Sequence, residues 1–401
     1  MKWKLAWNQI QKNRFMSLFN VLELILLFVL MIAGSSIISY ETKNYRSFFD
    51  LFSSKGYYIE VIGSSIPDSE KLQEKLKNAS VLSCYRAAFD IQEKSDSLVL
   101  GYDTEFIKRY HPDLTSGKWL TDIPKDEEIL HVVVGGTLSR QKPGTILHGI
   151  TLNNKTFDIK VIGTLNNNAT IIGHPNGTRQ SDMDYSKIYT NMELVTVDGG
   201  IVLFDKSEMD RLNQTASVNM DYGLGDVSLI TYNKNITRED ILYNRETLQR
   251  CVSYNEMYKL EDLNHYSLSA FKVKFYSILP LMVACFILTL ITAICNGAIL
   301  IKRQLYSYAI FYTCGMKWKD CTILNIYVNL LQSGIAFVIA SGIVYFFIVG
   351  HYYLMTAITF TLQEIFVCIV IEILYLALAM ILPSVMLHNN SAQEVLNKNK
   401  H

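Results

Sequence analysis

Four long apolar segments limit the folds that this 401-residue chain can adopt. A helix needs about 20 residues to cross the roughly 30 Å hydrocarbon core of a bilayer, and each segment is long enough. The segments lie at 17–39, 276–301, 323–349 and 365–387. They predict an α-helical membrane protein with one span before, and three spans after, a large extracytoplasmic domain at 40–271.

Basic residues flank one side of this set of spans. They are Lys2, Lys4, Lys12, Arg14, Lys302, Arg303, Lys317, Lys319, Lys398 and Lys400. Because positive charge collects on the cytoplasmic side, segments 1–16, 302–320 and 388–401 are predicted to be cytoplasmic. Lys272 and Lys274 are exceptions to the pattern. An alternative for the first segment is a cleavable signal peptide, but its apolar run is longer than most such regions, and a retained anchor is favoured.

The large domain has the pattern of a mixed α+β fold. Alternating or continuous apolar runs predict strands, and capped amphipathic runs predict helices. The predicted strands lie at 57–63, 81–92, 97–103, 129–136, 155–165 and 226–233, and the predicted helices at 67–79, 104–110 and 238–263. This order predicts two αβ parts, about 40–110 and 200–265, around a β-rich insertion at about 111–199. Cys84 and Cys251 are the two cysteines of this domain, and whether they pair is left open.

Catalytic signatures are missing from the sequence. The nearest approach to a phosphate-binding loop, at 144–151, lacks the lysine that such a loop needs, and no HExxH or GxSxG occurs. Asp182 and Asp184 are interpreted as part of a solvated loop rather than a calcium site. The 37 basic and 37 acidic side chains balance, with a mildly acidic middle, and indicate no nucleic-acid-binding surface. We therefore predict no catalytic residue, metal or cofactor in this chain.

Polar residues within the spans are candidates for function, because a charge is costly inside a bilayer. Glu23 lies in the first span and Glu372 in the fourth. One interpretation is a polar seam or a proton-linked step. The other, which is favoured, is a structural hydrogen bond to span three through Asn325, Asn329 or Gln332.

The segment 302–320, which contains RQLYSYAIFYTCGMKWKD, is unusually aromatic for a link between two spans. Its candidate anchors for a partner protein are Arg303, Tyr306, Ile310, Phe311, Tyr312 and Met316, and Gly315 is expected to end the helix in a left-handed conformation. The alternative is an interfacial helix whose aromatic and basic side chains lie at the lipid headgroups. The residues alone do not decide between the two.

The chain resembles the FtsX-like permeases of MacB type, the type VII ABC transporter superfamily. In the large domain, the residues that carry the resemblance are Gly117-Lys118-Trp119, the strand at 132–135 and the run at 157–163. After the second span they are Arg303 and the helical run to Cys314-Gly315. Near the C-terminus they are Pro383 and the run at 391–396, where Gln393 replaces the usual proline. The order of these motifs covers nearly the whole chain.

The resemblance implies a permease half-transporter in a bacterial cell membrane that pairs with a second permease and with a separate ABC ATP-binding subunit. ATP and Mg would be held by that subunit, and segment 302–320 would couple to it. Such permeases are mechanotransmitters that export or extract peptides, antibiotics or lipoproteins, and some work with an adaptor-like or extracellular protein. The alternatives are a membrane sensor or a regulator, as in FtsX control of a cell-wall hydrolase, and, least favoured, a membrane-anchored enzyme.

Overall fold

A computed structural model gives the fold of the chain. It describes residues 2–60, 69–87, 97–122, 129–152, 155–166, 169–173, 182–191, 200–216, 225–251, 256–349 and 362–388. The predicted motif at 391–396 and the turn at 350–361 lie outside the described residues.

The α-helices range from single turns to a helix of 54 residues. In chain order they are α1 (Lys2–Lys12), α2 (Arg14–Phe52), α3 (Ser69–Lys75), α4 (Thr104–Arg109), α5 (Tyr185–Ile188), α6 (Lys206–Ala216), α7 (Arg238–Cys251), α8 (Leu260–Thr313), α9 (Trp318–Val349), α10 (Leu362–Ala379) and α11 (Ile381–His388).

The strands all fall between α2 and α8. They are β1 (Gly56–Glu60), β2 (Ala79–Ala87), β3 (Leu98–Tyr102), β4 (Leu114–Gly117), β5 (Leu130–Gly136), β6 (Ile146–Leu152), β7 (Lys155–Leu165), β8 (Thr170–Ile172), β9 (Tyr189–Asn191), β10 (Gly200–Asp205), β11 (Gly225–Tyr232) and β12 (Glu256–Lys259). Two short 3-10 turns lie at Leu120–Asp122 and Thr137–Arg140.

The chain divides into two compact units. The helical unit comprises residues 1–41 and 273–401, and the sheet unit comprises residues 42–272. Within the described ranges, four helices are long and apolar enough to cross a membrane, at Arg14–Phe52, Leu260–Thr313, Lys319–Ile348 and Leu362–Met386. The predicted fold class is therefore confirmed: one long apolar helix near the N-terminus and three near the C-terminus flank a mixed α+β domain.

The helical unit is held together by an apolar cluster from all four long helices. Leu27 and Phe28 of α2, Ala336 and Ala340 of α9 and Cys368 of α10 are among its buried members. The alanine pair is four residues apart, a spacing that allows close helix contact. Near one end of the cluster, the Lys274 ammonium lies 2.8 Å from a Glu41 carboxylate oxygen. This pairing offsets one of the two charges that oppose the positive-inside pattern.

Among the described residues, the sheet unit has one mixed sheet of ten strands, in the order β12-β1-β11-β2-β3-β10-β5-β7-β4 with β6 on β7, and a two-stranded sheet of β8 and β9. The β10–β3 and β5–β7 pairs are parallel, and the other pairs are antiparallel. Of the strands in the predicted insertion at 111–199, β4 to β7 extend the large sheet at the β10 edge, and β8 and β9 form the small sheet. β10 joins the parts because it pairs with β3 on one side and β5 on the other.

The motifs that carry the sequence resemblance in this domain lie together on three adjacent strands. Gly117 of β4 is the register partner of Gly163 of β7, and Val133 of β5 faces Gly163 from the other side. Gly117 has a φ of +85°, and a Cβ there would lie 2.6 Å from the Gly163 Cα, so the close approach requires glycine. The Trp119 indole N–H donates to the Ile107 carbonyl oxygen at 3.0 Å. This bond ties the segment after β4 to helix α4.

The ends of α2 and α8 that belong to the sheet unit are buried in its core. Phe48 and Phe52 of α2 stack at 4.3 Å between ring centroids and pack with Leu260 and Leu263 of α8 in the largest apolar cluster. The Asn264 amide also donates to the Phe52 carbonyl oxygen at 2.6 Å. Both helices thus contribute residues to both units, and neither is interrupted between them.

Two local predictions need correction. The helix predicted at 238–263 is α7 followed by strand β12 and then the start of α8, because Glu256–Lys259 pairs with β1 at the sheet edge. The helix predicted at 67–79 is shorter, because Ala79 already begins β2. Cys84 and Cys251 are not joined by a disulfide, and they contact different apolar clusters. Periodicity within one segment cannot reveal such edge pairing.

A buried carboxyl in the sheet should make the stability of this unit depend on pH. Glu60 is buried opposite Glu256, and burial raises its pKa to about 7, although the Tyr58 hydroxyl donates to it at 3.2 Å. The folded-state pKa exceeds the unfolded one, so stability is lost as the pH rises from about 4.5 to about 7. We expect Glu60→Gln to be more stable than the natural chain by about 2–3 kcal/mol at pH 8 and similar at pH 4.

Amide hydrogen exchange of β1 and β11, corrected for intrinsic rates, measures this difference. The matched control is Glu246→Gln, an exposed carboxylate in α7 whose removal should change stability by less than about 0.5 kcal/mol at either pH. If the amides of the natural chain and of Glu60→Gln are equally protected from exchange at pH 8, the buried Glu60 carboxylate does not destabilise the sheet unit.

Candidate functional site

The aromatic segment at 302–320 is the last part of α8 and the turn into α9. The Met316 N–H donates to the Phe311 carbonyl oxygen and the Gly315 N–H donates to the Tyr312 carbonyl oxygen, both at 3.0 Å. Gly315 has a φ of +96°, so these bonds form a Schellman motif. The helix end is therefore fixed by the backbone, and Gly315 adopts the left-handed conformation expected from the sequence.

Three of the predicted anchors form an exposed stripe on α8. Arg303, Tyr306 and Ile310 are spaced at helical intervals of three and four, and all are exposed. Tyr306 is 46% exposed and Ile310 is 39% exposed. We call these three residues the exposed stripe. Tyr312 is 45% exposed, but it lies two residues after Ile310 and therefore on a different side of the helix.

Phe311 and Met316, the other predicted apolar anchors, are only partly exposed. Both pack against a buried cluster made by Ala6, Ile301, Tyr308, Cys321, Leu324 and Val328, which we call the end cluster. Phe311 lies one helical turn from Tyr308, with 6.5 Å between ring centroids. The Schellman turn brings Met316 back toward Phe311, where an apolar contact commonly accompanies the motif.

Helix α1 lies against the same end of the helical unit. Ala6 is fully buried in the end cluster, and the Gln9 amide donates to the Tyr308 hydroxyl at 3.1 Å. The Lys2 ammonium lies 2.9 Å from a carboxylate oxygen of Asp320. Segment 1–16 was predicted only as a cytoplasmic terminus, so its contribution was missed. The apolar spacing of Ala6 and Ile10 in a helix rich in lysine was the signal that could have shown it.

The polar residues within the spans contact several different partners. The Asn296 side-chain amide donates to the Asn20 Oδ1 at 2.5 Å, and the Asn20 side-chain amide donates to the Gln332 Oε1 at 3.4 Å. These bonds link α8, α2 and α9. The Asn325 and Asn329 amides both lie against the Met380 sulfur, at 3.6 Å and 3.5 Å.

Glu372 makes no hydrogen bond to Asn325, Asn329 or Gln332, the partners in span three that the sequence suggested. Its two carboxylate oxygens are buried and make no hydrogen bond of ordinary geometry among the described residues. Ser333 lies beside it, but the Ser333 hydroxyl donates to the Leu330 carbonyl oxygen at 3.2 Å. Glu23 of α2 and Glu372 of α10 both lie within electrostatic range of Tyr375. The Asn325 and Asn329 amides lie against Met380 instead, and the Gln332 oxygen accepts from Asn20.

Other polar candidates have structural roles. Asp184 caps α5, where its carboxylate accepts from the Ser186 N–H at 2.8 Å. Gly144 lies in the turn before β6 with a φ of +94°. Among the residues that the structure describes, no group of three His, Cys, Asp or Glu side chains could hold a metal ion.

Changing Gly315 should weaken the end of α8. A Cβ at this position meets no atom within 4 Å, so the cost of a substitution is the strain of the left-handed conformation. We expect Gly315→Val to destabilise the turn by about 1–2 kcal/mol, and Gly315→Asn to cost much less, since asparagine tolerates this conformation. Exchange of the Met316 N–H, which depends on the turn, measures the effect. Equal exchange in both variants would contradict the account.

Comparisons with known proteins find similar solved structures, two of which are extracytoplasmic transporter domains. No protein-family model matches the sequence, and no curated protein matches it. The periplasmic region of MacB from Actinobacillus actinomycetemcomitans is 10% identical, with a TM-score of 0.31, over 54% of this chain and 92% of that one. The extracellular domain of the ABC-type transporter YknZ from Gram-positive bacteria is 11% identical, with a TM-score of 0.27, over 50% of this chain and 92% of that one.

Proposed function

We propose that this chain is the permease subunit of an ABC transporter that acts by mechanotransmission. The exposed stripe of α8 would bind a separate ATP-binding subunit, and ATP and Mg would be held there rather than by this chain. Segments 1–16 and 302–320 would be cytoplasmic, and the sheet unit would lie outside the membrane. A second permease copy, or a homologous permease, would complete the transporter.

The observation that carries this proposal is the exposed stripe on a helix end that is itself rigid. Tyr306 and Ile310 expose large apolar surface, while Tyr308 and Phe311 on the other side of the helix are packed in the end cluster. Interface hot spots are typically aromatic or arginine side chains presented on a fixed backbone. Arg303 adds a positive charge at the start of the same stripe.

The helices that would transmit the motion support the same function. A displacement of α8 at the exposed stripe would be transmitted along this one helix. The first residues of α8, Leu260 and Leu263, are buried in the core of the sheet unit. Helix α2 is anchored there in the same way by Phe48 and Phe52. Because packed cores do not deform continuously, a shift of these helix ends would move the sheet against them. The cargo would be a peptide, antibiotic or lipoprotein.

Co-purification tests the proposal. The full chain is expressed with each ABC-type ATP-binding subunit encoded near its gene and is isolated in detergent. We expect one such subunit to co-purify in a defined ratio. If none does, and a histidine kinase or a cell-wall hydrolase is retained instead, the chain is a sensor or a regulator.

A further inference from the structure

A cleft opens beside the end cluster, between α1 and the last turns of α8. Its volume is about 240 Å³, and Gln9, Lys12, Gln304, Ser307 and Phe311 are among its lining residues. Three of these five residues carry an amide or a hydroxyl, and one carries a positive charge. All of them lie within the helical unit.

The amide of Gln304 is buried in the wall of this cleft without a partner. The side chain is only 6% exposed, and neither its nitrogen nor its oxygen makes a hydrogen bond within the described part of the chain. The Gln9 amide oxygen is also buried and unpartnered, although its nitrogen donates to the Tyr308 hydroxyl. Leaving such groups unsatisfied is costly. A ligand that offers both acceptors and donors would satisfy them.

The charge near the cleft favours an anion. Lys12 lines it, Lys4 lies on the same helix, and α1 has no acidic residue. Asp320, at the start of α9, is paired with Lys2 at 2.9 Å. The ligand would therefore combine a negative group, for Lys12 and the Gln304 nitrogen, with hydroxyl donors for the two amide oxygens.

The position of the cleft along the helices matches the lipid headgroup layer. Gln304 follows the predicted end of the second span at 301 by three residues, which is about 4.5 Å of helix. The headgroup layer extends about 5–8 Å beyond the hydrocarbon core on each side. Trp3 and Trp7 of α1 are exposed on the helix that forms the other wall, and tryptophan and lysine side chains are typical of this layer.

We propose that the cleft binds the phosphoglycerol headgroup of an anionic phospholipid. The phosphate oxygens would accept from the Lys12 ammonium and the Gln304 nitrogen, and the glycerol hydroxyls would donate to the amide oxygens of Gln304 and Gln9. The bound lipid would join α1 to the end of α8 beside the exposed stripe. This inference rests on the membrane placement of the helices, and it does not require an ATP-binding subunit.

Thermal unfolding of the full chain in detergent, followed during titration with lipid, tests the inference. Short-chain phosphatidylglycerol should raise the unfolding temperature, and phosphatidylcholine at the same concentrations should not. In Lys12→Gln and in Gln304→Leu we expect the apparent affinity for phosphatidylglycerol to fall about tenfold. Gln304→Leu removes a buried unsatisfied amide, so without lipid it should be at least as stable as the natural chain.

The matched control is Lys4→Gln, which removes an equal charge from α1 outside the cleft and should retain the affinity. If Lys4→Gln and Lys12→Gln lose the same affinity for phosphatidylglycerol, the lipid responds only to the general surface charge of α1, and the proposed site is wrong. An unchanged affinity in Gln304→Leu would also overturn it. Glycerol 3-phosphate is titrated in parallel, and an equal response to it would show a soluble phosphate rather than a lipid as the ligand.

Discussion

Replacing Tyr306 and Ile310 together with alanine is expected to reduce the affinity for the ATP-binding subunit by at least about 30-fold. Both side chains are exposed in the isolated chain, so they are available to fill grooves on a partner. Truncating a hot-spot side chain typically costs about 2 kcal/mol or more, and about 1.4 kcal/mol corresponds to a factor of ten. Binding of the purified subunit to the chain in nanodiscs measures the loss.

The matched control for this variant is Tyr276→Ala. Tyr276 is 65% exposed on the same helix α8, but it lies at the far end of the second predicted span. It should change neither the affinity nor the amount of chain in the membrane. If the double variant binds as tightly as the natural chain, the exposed stripe is a lipid-facing feature of an interfacial helix and not a docking surface.

Replacing Glu208 with alanine should destabilise the sheet unit by about 2–4 kcal/mol. The Glu208 carboxylate accepts from the His131 backbone N–H at 3.0 Å, and its other oxygen lies 2.6 Å from the His131 ring nitrogen. His131 is fully buried, so the substitution removes two buried hydrogen bonds at once. Urea unfolding of the sheet unit within the full chain measures the difference.

Two controls separate this pair from general effects on α6. Glu208→Gln retains an acceptor oxygen, so it should lose clearly less stability than Glu208→Ala. Asp210→Ala removes an ion pair with Lys206 that is partly exposed, and the expected loss is below about 1 kcal/mol. If Asp210→Ala loses as much unfolding free energy as Glu208→Ala, the contact between Glu208 and His131 does not stabilise the sheet unit more than an exposed ion pair does.

Long apolar runs and strong strand patterns could be read from the sequence because their signal is local. The four spans correspond to α2, α8, α9 and the pair α10 and α11, and the strand predicted at 155–165 matches β7 to the residue. The spans are parts of longer helices, since a helix does not end where its apolar run ends. Residues 40–52, for example, continue α2 into the sheet unit.

Contacts between distant segments could not be predicted in this way. Phe311 and Met316 are as apolar as Ile310, and only the structure shows that they pack partly against the end cluster. The amides of Asn325 and Asn329 could reach several partners, and the position of Met380 decides which they contact. Strand β12 was missed because its four residues form a strand only by pairing with β1. The local sequence pattern does not indicate that pairing.

ATP hydrolysis in a reconstituted complex tests the coupling role most directly. The ATP-binding subunit is assayed alone, with the natural chain in nanodiscs, and with the chain that carries Tyr306→Ala and Ile310→Ala. We predict that the natural chain changes the hydrolysis rate several-fold and that the double variant leaves the rate of the isolated subunit unchanged. An identical rate in all three samples, or an equal change by both chains, would contradict coupling through the exposed stripe.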